Sequence, residues 1–559
     1  MNRKRFFSAI KNFCGWYLAY LVRPNFLTSE NQRKCSQYRS FEHQNDFIKL
    51  KAKSQKFKSL SAIKKFQEWM NEIPFDITSD NFRMLLRTEI KTVIGSSNTI
   101  VNVKDFGAVS GRYVQEEFIM AVKALPEGGT LIIPEGIWLI NNLTIDKKII
   151  IRCQGTLKRS GFGENDQTNS NHMVRLNAPC IWDGGVFDSN FRSWRNSSTE
   201  NQLFTLRVDA RSWIKNVHCI DCARRADGWV FGGFRNGAGT TLFEYCSAEY
   251  AARSFYSNSN LVVERNNKIT DFKGVYYYKC GAIKYTQKGF DSAGNHGFIV
   301  VDSCYGELLM EGKLEPQEFI LFETGDGNMI HSGIVKNTSY EGYSNANIMK
   351  SSNVKWTIFI DSHLANFGFG PRGGRNPYSS PQKAYRNQEN YENFLEDQST
   401  VLINSSMETI DHDTGHWYYN SNLGGKTIPF LLARRIGRGE NPRNSSFYAI
   451  NCRFRWKSSE FGYENRQEPV NFYASKSTFE IHNTSKAFLR LHDRFEYKMD
   501  DTRIVLDHCE FINKGDNNTY ILDAPRTNIG ENVVFIINPS GNFHDKIVAP
   551  SIPFSDSYR

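Results

Sequence analysis

Ten short segments of this 559-residue chain can be laid over one another: WIKNVHCID, TLFEYCSAE, VYYYKCGAI, IVVDSCYGE, GIVKNTSYE, TIFIDSHLA, TVLINSSME, FYAINCRFR, NFYASKSTFE and RIVLDHCEF. Each alternates apolar residues and then sets a polar pair or a small Cys, Ser or Asn. With Cys219, Cys246, Cys280, Cys304, Asn337, Ser362, Ser405, Cys452, Ser477 and Cys509 as register marks, the steps are 27, 34, 24, 33, 25, 43, 47, 25 and 32 residues. A base period in the mid-twenties with insertions is the signature of a solenoid, which buries a continuous core only by stacking its repeats. Helical repeats need an amphipathic helix in every period, whereas these marks sit on β-branched and aromatic alternation, so the period is built of strands. Stacked in parallel, equivalent side chains form interior ladders, and the recurring Cys, Ser and Asn read as filler with no chemistry of their own.

A second signal precedes the first coil. VNVKDFGAVSG, residues 101–111, is followed by Val114, Phe118, Ala121, Val122 and Leu125 at helical spacing, a helix that stops at Pro126. Short β-rich runs follow, among them TLIIP, IWLI, LTI and KIIIRCQG. The phrase VKDFGA, the helix behind it, GGTLIIPEGIWLI and the later IWDGGVFDSN resemble the start of the pectin-lyase-like parallel β-helix superfamily, and VNVKDFGAV is nearest to the wording of bacteriophage tailspike and polysaccharide depolymerase proteins. The motifs cover residues 101 to about 190, and the periodicity carries the likeness to about 515. The resemblance implies an all-β fold, a single-stranded right-handed parallel β-helix capped by an N-terminal helix. It also implies a polysaccharide-handling protein and, for tailspikes, a homotrimer that cleaves a bacterial surface glycan. The family phrase carries an Asp pair ahead of the capping helix, but here no Asp follows Asp105 until Asp146. Asp at that end serves as helix cap and turn residue, so Ser110, Gly111, Glu116 and Glu117 are expected to take over that work.

The formal net charge of +10 is local: residues 1–100 hold 18 Lys and Arg against 8 Asp and Glu, and residues 101–559 hold 51 of each. The leader opens MNRKRFFSAIKNFCGWYLAYLVRP, where Lys11 and Asn12 interrupt the apolar run and no small-residue cleavage site follows Val22, so it does not read as a signal peptide. On a helix, Phe6, Ile10, Phe13, Tyr17 and Leu21 form one apolar stripe ended by Pro24. With the lysine-rich KLKAKSQKFKSLSAIKK behind it, residues 1–98 read as a basic, mostly helical attachment segment; 99–515 read as the β-helix body and 516–559 as a C-terminal end or cap. A groove on a virion protein and an anionic membrane surface both fit such a helix. Eleven cysteines scattered from Cys14 to Cys509 fit buried thiols of a reducing cytoplasm. The CxxC of Cys219 and Cys222 has no second pair at zinc spacing. No metal, cofactor or nucleic-acid partner is expected.

Glycoside hydrolysis needs two carboxylates about 5 to 9.5 Å apart. FETGDGNMIH offers Glu323 and Asp326, with Gly325 and Gly327 allowing a turn that aims both outward. RRADGWVF, with Asp227, resembles a polygalacturonase catalytic stretch, although that family's GHG phrase is present only as NHG at His296. DHDTGHWYY sets Asp411, His412, Asp413 and His416 beside Trp417 and Tyr418, rings suited to sugar stacking, as is Trp194. Lyases of this fold need an Arg or Lys base near an acidic sugar, a role open to Arg372 and Arg375 in FGPRGGR. The expected function is therefore a depolymerase of a capsule, exopolysaccharide or O-antigen, sited on a phage virion tail, with hydrolysis favoured by the formally neutral body. The alternative is a non-catalytic glycan-binding or capsule-biosynthesis factor held at the inner membrane, from the cytoplasmic side, by the basic helix.

Overall fold

A computed structural model describes residues 75–548, apart from inter-strand segments that include 161–171, 191–202, 223–230, 261–273, 309–316, 323–329, 366–397, 410–430 and 434–444. The strand pairing defines the fold. Cys180–Asp183 pairs in parallel with Ile149–Cys153 before it and Ser212–Lys215 after it. Val186–Asp188 does the same with Thr156–Arg159 and His218–Ile220, and Leu203–Val208 with Val174–Leu176 and Phe231–Asn236. Each coil thus contributes one strand to each of three sheets, here called A, B and C in chain order. This is a parallel β-helix, coiled in the right-handed sense that parallel crossovers adopt. Sheet A continues through Val534–Phe543, and from Leu431–Ala433 onward a five-stranded sheet supplies the third side of the coil.

The corner between sheets A and B explains the repeat. One residue there adopts a left-handed conformation, as at Asn216, Tyr245, Lys279, Ser303, Asn337, Asp361, Asn404, Asn451, Lys476 and His508. Asn and Asp tolerate that region best, and it bends the chain within one residue. The next side chain turns inward, and it is small and polar for a reason. The hydroxyls of Thr338, Ser362, Ser405 and Ser477 accept the backbone N–H of Cys304, Thr338, Ser362 and Cys452, at 3.1–3.3 Å. Those N–H groups point into the core, where an unpaired donor is expensive. Cys246, Cys280, Cys304 and Cys509 fill the same position and direct their thiols at a carbonyl of the preceding coil. Two register marks therefore shift: the equivalent residues are Val217, two before Cys219, and Thr338, one after Asn337. Both cysteines of the CxxC are buried, and burial raises the Cys219 thiol well above its ordinary value.

Between the sheets run aromatic stacks, Phe234 on Phe255 at 4.9 Å and Phe255 on Phe290 at 4.8 Å, both within 6° of parallel. The N-terminal end is closed by a helix, α2 (Gln115–Ala124), that buries Val114, Phe118, Ala121, Val122 and Leu125 against the first coil as the spacing predicts. Its capping differs from expectation: Val114 is the N-cap and supplies no side-chain bond, while the Ser110 hydroxyl accepts the Ile137 N–H at 2.9 Å and ties the turn to the first coil. Asp105 belongs to a separate capping box, accepting the Asn102 N–H at 3.3 Å while Asn102 accepts from Lys104.

Helix α1 (Asp80–Ile94), inside the stretch assigned to the leader, lies along the outer side of sheet A. Phe82, Leu86, Ile90 and Ile94, four residues apart, form its buried stripe. Its two arginines close on Glu244, which is 1% exposed: Arg87 Nη2 donates to Oε1 at 2.6 Å and Nε to Oε2 at 3.0 Å, while Arg83 Nε stands 3.5 Å from Oε1. The Trp213 indole donates to the same carboxylate at 2.9 Å. All described residues fall in one unit, Lys64–Phe554; the apolar stripe of the leader lies outside the described residues.

Candidate functional site

Chemistry-bearing side chains collect on the outer side of sheet C. Register places Arg175, Arg207, Arg235, Tyr256 and Asp291 in one column on five successive coils. Phe204, Gly232, Arg253 and Lys288 form a second column beside it. Asp209 joins the first two arginines, accepting from Arg175 Nε at 2.7 Å and from Arg207 Nε at 2.8 Å. Its carboxylate occupies the space a side chain at Gly237 would fill, so the glycine is what lets it reach them. Arg253 Nη1 pairs with Asp291 at 2.7 Å, and Lys288 Nζ stands 3.8 Å from the same oxygen.

The floor is aromatic. Phe204 and Tyr256 stack at 5.5 Å and 9°, across Gly232, where a Cβ would strike the Phe204 ring. Arg235 lies over both rings, at 5.9 and 5.8 Å, and Arg253 over Tyr256 at 5.0 Å, so the rings hold guanidinium groups in place. The pair is itself buried, which makes it a support for the cations and not a sugar platform.

His172 shows what the cluster wants. Its Nδ1 accepts the Phe204 backbone N–H at 3.0 Å, so a neutral ring carries its proton on Nε2, which faces Arg207 Nη1 at 3.1 Å. In that tautomer both groups of the contact are donors, so neither is satisfied by the other, and an anionic oxygen within reach of both is the kind of group that would relieve them. Burial first, then Arg207, Arg235 and Arg159, push His172 down to about 3, so it is neutral at working pH. Burial also lowers Arg159 to about 9, which leaves it cationic. Arg235 Nε is buried and has no hydrogen-bond partner among the described residues. Among the described residues of these columns the cations Arg175, Arg207, Arg235, Arg253 and Lys288 outnumber the carboxylates of Asp209 and Asp291, with Glu318 the register partner of Lys288 one coil on, in a body that is formally neutral as a whole.

A pH dependence follows. The unfolded His titrates near 6.5 and the folded one at about 3, so between those values the unfolded chain holds the extra proton and stability rises with pH. Acidification from pH 6.5 to 4 therefore removes about 3 kcal/mol through this one group. Urea unfolding of a His172→Gln variant against the parent, at both pH values, is expected to show an acid loss smaller by that amount; equal losses would mean His172 is charged in the folded state.

Every residue singled out from the sequence for catalysis or sugar contact, namely Glu323, Asp326, Asp227, Arg372, Arg375, Trp417, Tyr418 and Trp194, lies outside the described residues, as does the Asp411 to His416 cluster. Along the chain, Trp194 and Asp227 belong to the segments that lead into the strands of Arg207 and Arg235, and Glu323 directly follows the sheet C strand Gln317–Phe322. His296 is interior, fully buried, with Nε2 at 2.7 Å from the Ser257 hydroxyl. The cationic columns had a signal that reading missed: VRLNA, LRVDA and FRNGA place an arginine at one position of three successive coils. Among the described residues no group of three or more His, Cys, Asp or Glu is placed to hold a metal ion, and no helix is long and apolar enough to cross a membrane.

No family model matches the sequence, and no curated protein matches it. Solved structures of similar outline include the catalytic unit of the thermostable GH87 α-1,3-glucanase from Streptomyces thermodiastaticus strain HF3-3, 10% identical, with a TM-score of 0.34 and a match over 81% of this chain and 71% of that one. The hyperthermoactive exopolygalacturonase of Thermotoga maritima is 11% identical over 77% of this chain and 96% of its own, at 0.31. The Dettilon tailspike protein is 11% identical over 78% and 68%, at 0.30. At such identities and scores the coil pairing described above, and not these likenesses, establishes the fold.

Proposed function

We propose, from the premise that the chain has the pectin-lyase-like parallel β-helix fold, that it binds an acidic bacterial surface polysaccharide over sheet C and cleaves its glycosidic bonds. The observation that carries this reading is the cluster at His172, Arg207 and Arg235, where donors lack an acceptor and cations outnumber carboxylates among the described residues. A uronate or other acidic sugar supplies the missing acceptor, with Arg175, whose side chain is 41% exposed, at the open end. Glu323 and Asp326 are the proposed hydrolytic carboxylates, with Asp227 as a third acid, each in a segment joined directly to a sheet C strand. Trp194, Trp417 and Tyr418 are the proposed stacking rings. The cations favour one second reading, β-elimination, which needs a neutralised sugar carboxylate and an arginine base such as Arg372 or Arg375. The proposed setting is a tailspike-like homotrimer on a phage virion, docked through residues 1–98. A non-catalytic glycan-binding or capsule-biosynthesis factor at the inner membrane is the reading that takes its place if binding occurs without cleavage.

The test is a time course on acidic capsules, exopolysaccharides and O-antigens, following reducing ends and unsaturated-uronate absorbance together. New reducing ends without the chromophore, lost in Glu323→Gln/Asp326→Asn, are expected. Arg207→Ala and Arg235→Ala are each expected to weaken binding about tenfold or more, since each removes a charge-assisted bond. Chromophore would establish elimination, binding alone the non-catalytic reading, and failure to bind any acidic glycan would remove sheet C as the site.

A further inference from the structure

The outer side of sheet B carries an arrangement that the reading of sheet C does not use. In two successive coils the corners bracketing the sheet B strand hold a tyrosine and then a lysine: Tyr245 then Lys279 at the start, Tyr250 then Lys284 at the end. All four are left-handed, with φ between 49° and 54°. A bulky ring there costs on the order of 1 kcal/mol or more, where Asn serves other coils without penalty. What the conformation achieves at Tyr245 is to turn the ring outward, 45% exposed, with Lys279 Nζ 5.5 Å from its centre. At the second corner Lys284 Nζ stands 4.9 Å from the centre of the Tyr250 ring. In the next coil Tyr305, 51% exposed, sets the outer end of its ring against Gly281, where any Cβ would run into it. Ser247, Gly281 and Tyr305 are register partners on three coils, so the ground beside that ring is kept low by small residues.

We propose that this face, between Tyr245 and Tyr305, binds neutral pyranose rings, at a site separate from the cationic face of sheet C. Tyrosine offers a large flat apolar surface at little entropic cost and a hydroxyl at its rim, which suits the C–H face of a sugar and its edge hydroxyls. The two tyrosines belong to coils two steps apart, roughly 10 Å along the axis, and Tyr305 leans over the coil between them, so both rings address neighbouring units of one glycan chain lying along the solenoid. Charge sets the ligand class: Lys279 and Lys284 are balanced by Glu249 and Glu307, and Lys284 already pairs with Glu249 at 3.3 Å. A neutral saccharide is favoured here as an acidic one is on sheet C. Two sites of moderate affinity on one rigid rod would raise residence on a long glycan through effective concentration.

The experiment is native affinity electrophoresis of the full chain in gels cast with dextran, pullulan, galactomannan or hydroxyethylcellulose, and in parallel with polygalacturonate. Retardation is expected in at least one neutral gel, weakened about tenfold in Tyr245→Ala/Tyr305→Ala and kept in Arg207→Ala. Both tyrosines are half exposed, so the double variant keeps the parent's thermal midpoint. Gly281→Val, which retains both tyrosines and displaces the seated ring, is expected to reproduce the loss. Migration unchanged in all four neutral gels, or retardation indifferent to the tyrosine variant, overturns the proposal. Loss of neutral retardation in Arg207→Ala overturns the separateness of the two sites. Polygalacturonate retardation reports on sheet C alone, so failure of either site is seen independently of the other.

Discussion

Glu244→Ala is expected to destabilise the protein by about 3–5 kcal/mol and to release helix α1 from sheet A. The carboxylate is 1% exposed and is held by Arg87 through both oxygens, by Arg83 at 3.5 Å and by the Trp213 indole at 2.9 Å. Removing it leaves two cations under the helix with only the exposed Asp80, 3.8 Å from Arg83, in reach. Arg83 already has Nε and Nη1 buried without hydrogen bonds and depends for its compensation on Glu244, on the Tyr278 face 3.3 Å away and on the exposed Asp80 at 3.8 Å. The cost therefore comes from the stranded charges more than from the lost pair, and this gives the discriminating variant. Replacing all three groups together, as Arg83→Leu/Arg87→Met/Glu244→Leu, is expected to recover most of the loss, because apolar groups of similar size remove both sides of the ion cluster. Denaturant unfolding and amide exchange over residues 80–94 measure both effects. A triple variant as unstable as the single one would show that the ion cluster itself, and not the avoidance of stranded charge, holds the helix.

The fold was readable from the sequence because a solenoid repeats its constraints. At Thr338, Ser362 and Ser405 the small polar residue after the left-handed corner answers a buried N–H one coil earlier, while Cys246, Cys280 and Cys304 at the same position turn their thiols to a carbonyl of that coil, so small polar types recur there for a reason many coils share. The same logic explains where the register slipped. In the coil of Asn216 the inward residue after the corner is Val217, and the nearest thiol, Cys219, is also interior but two residues on. In the coil of Asn337 the polar corner residue and the inward Thr338 are neighbours, and either satisfies a pattern of small polar types.

The sheet C cluster was harder to see because its columns follow segments of unequal length. Aligned on the corner between sheets A and B, VRLNA, LRVDA and FRNGA fall out of phase; aligned on sheet C they coincide. Charge was misleading for the same reason. A body with 51 cations and 51 anions reads as neutral, yet coil stacking brings Arg175, Arg207, Arg235 and Arg253 to one side and sends acids such as Glu244 and Asp302 to another. Formal neutrality of the body therefore gives no weight to hydrolysis over elimination. No composition count carries that segregation, since it depends on which of three directions each strand faces.

Stacking also decides how the molecule should fail. Phe255 sits between Phe234 and Phe290 at 4.9 and 4.8 Å, with the Tyr277 ring edge-on at 5.3 Å, so one side chain joins three coils. Phe255→Ala is expected to cost about 3–5 kcal/mol, through lost burial and through a cavity that rigid neighbouring coils cannot collapse. In a solenoid the coils hold one another only through nearest-neighbour interfaces, so the damage is to coupling as much as to total stability. Calorimetry is therefore expected to show a lower midpoint together with a broadened or split transition, the coils before Phe234 and those after Phe290 no longer melting as one. Phe255→Leu, which keeps most of the volume but not the stack, is expected to fall between alanine and the parent. A single sharp transition displaced by less than about 1 kcal/mol in the alanine variant would mean that the aromatic column fills the interior without coupling the coils, and that cooperativity resides in the backbone ladders instead.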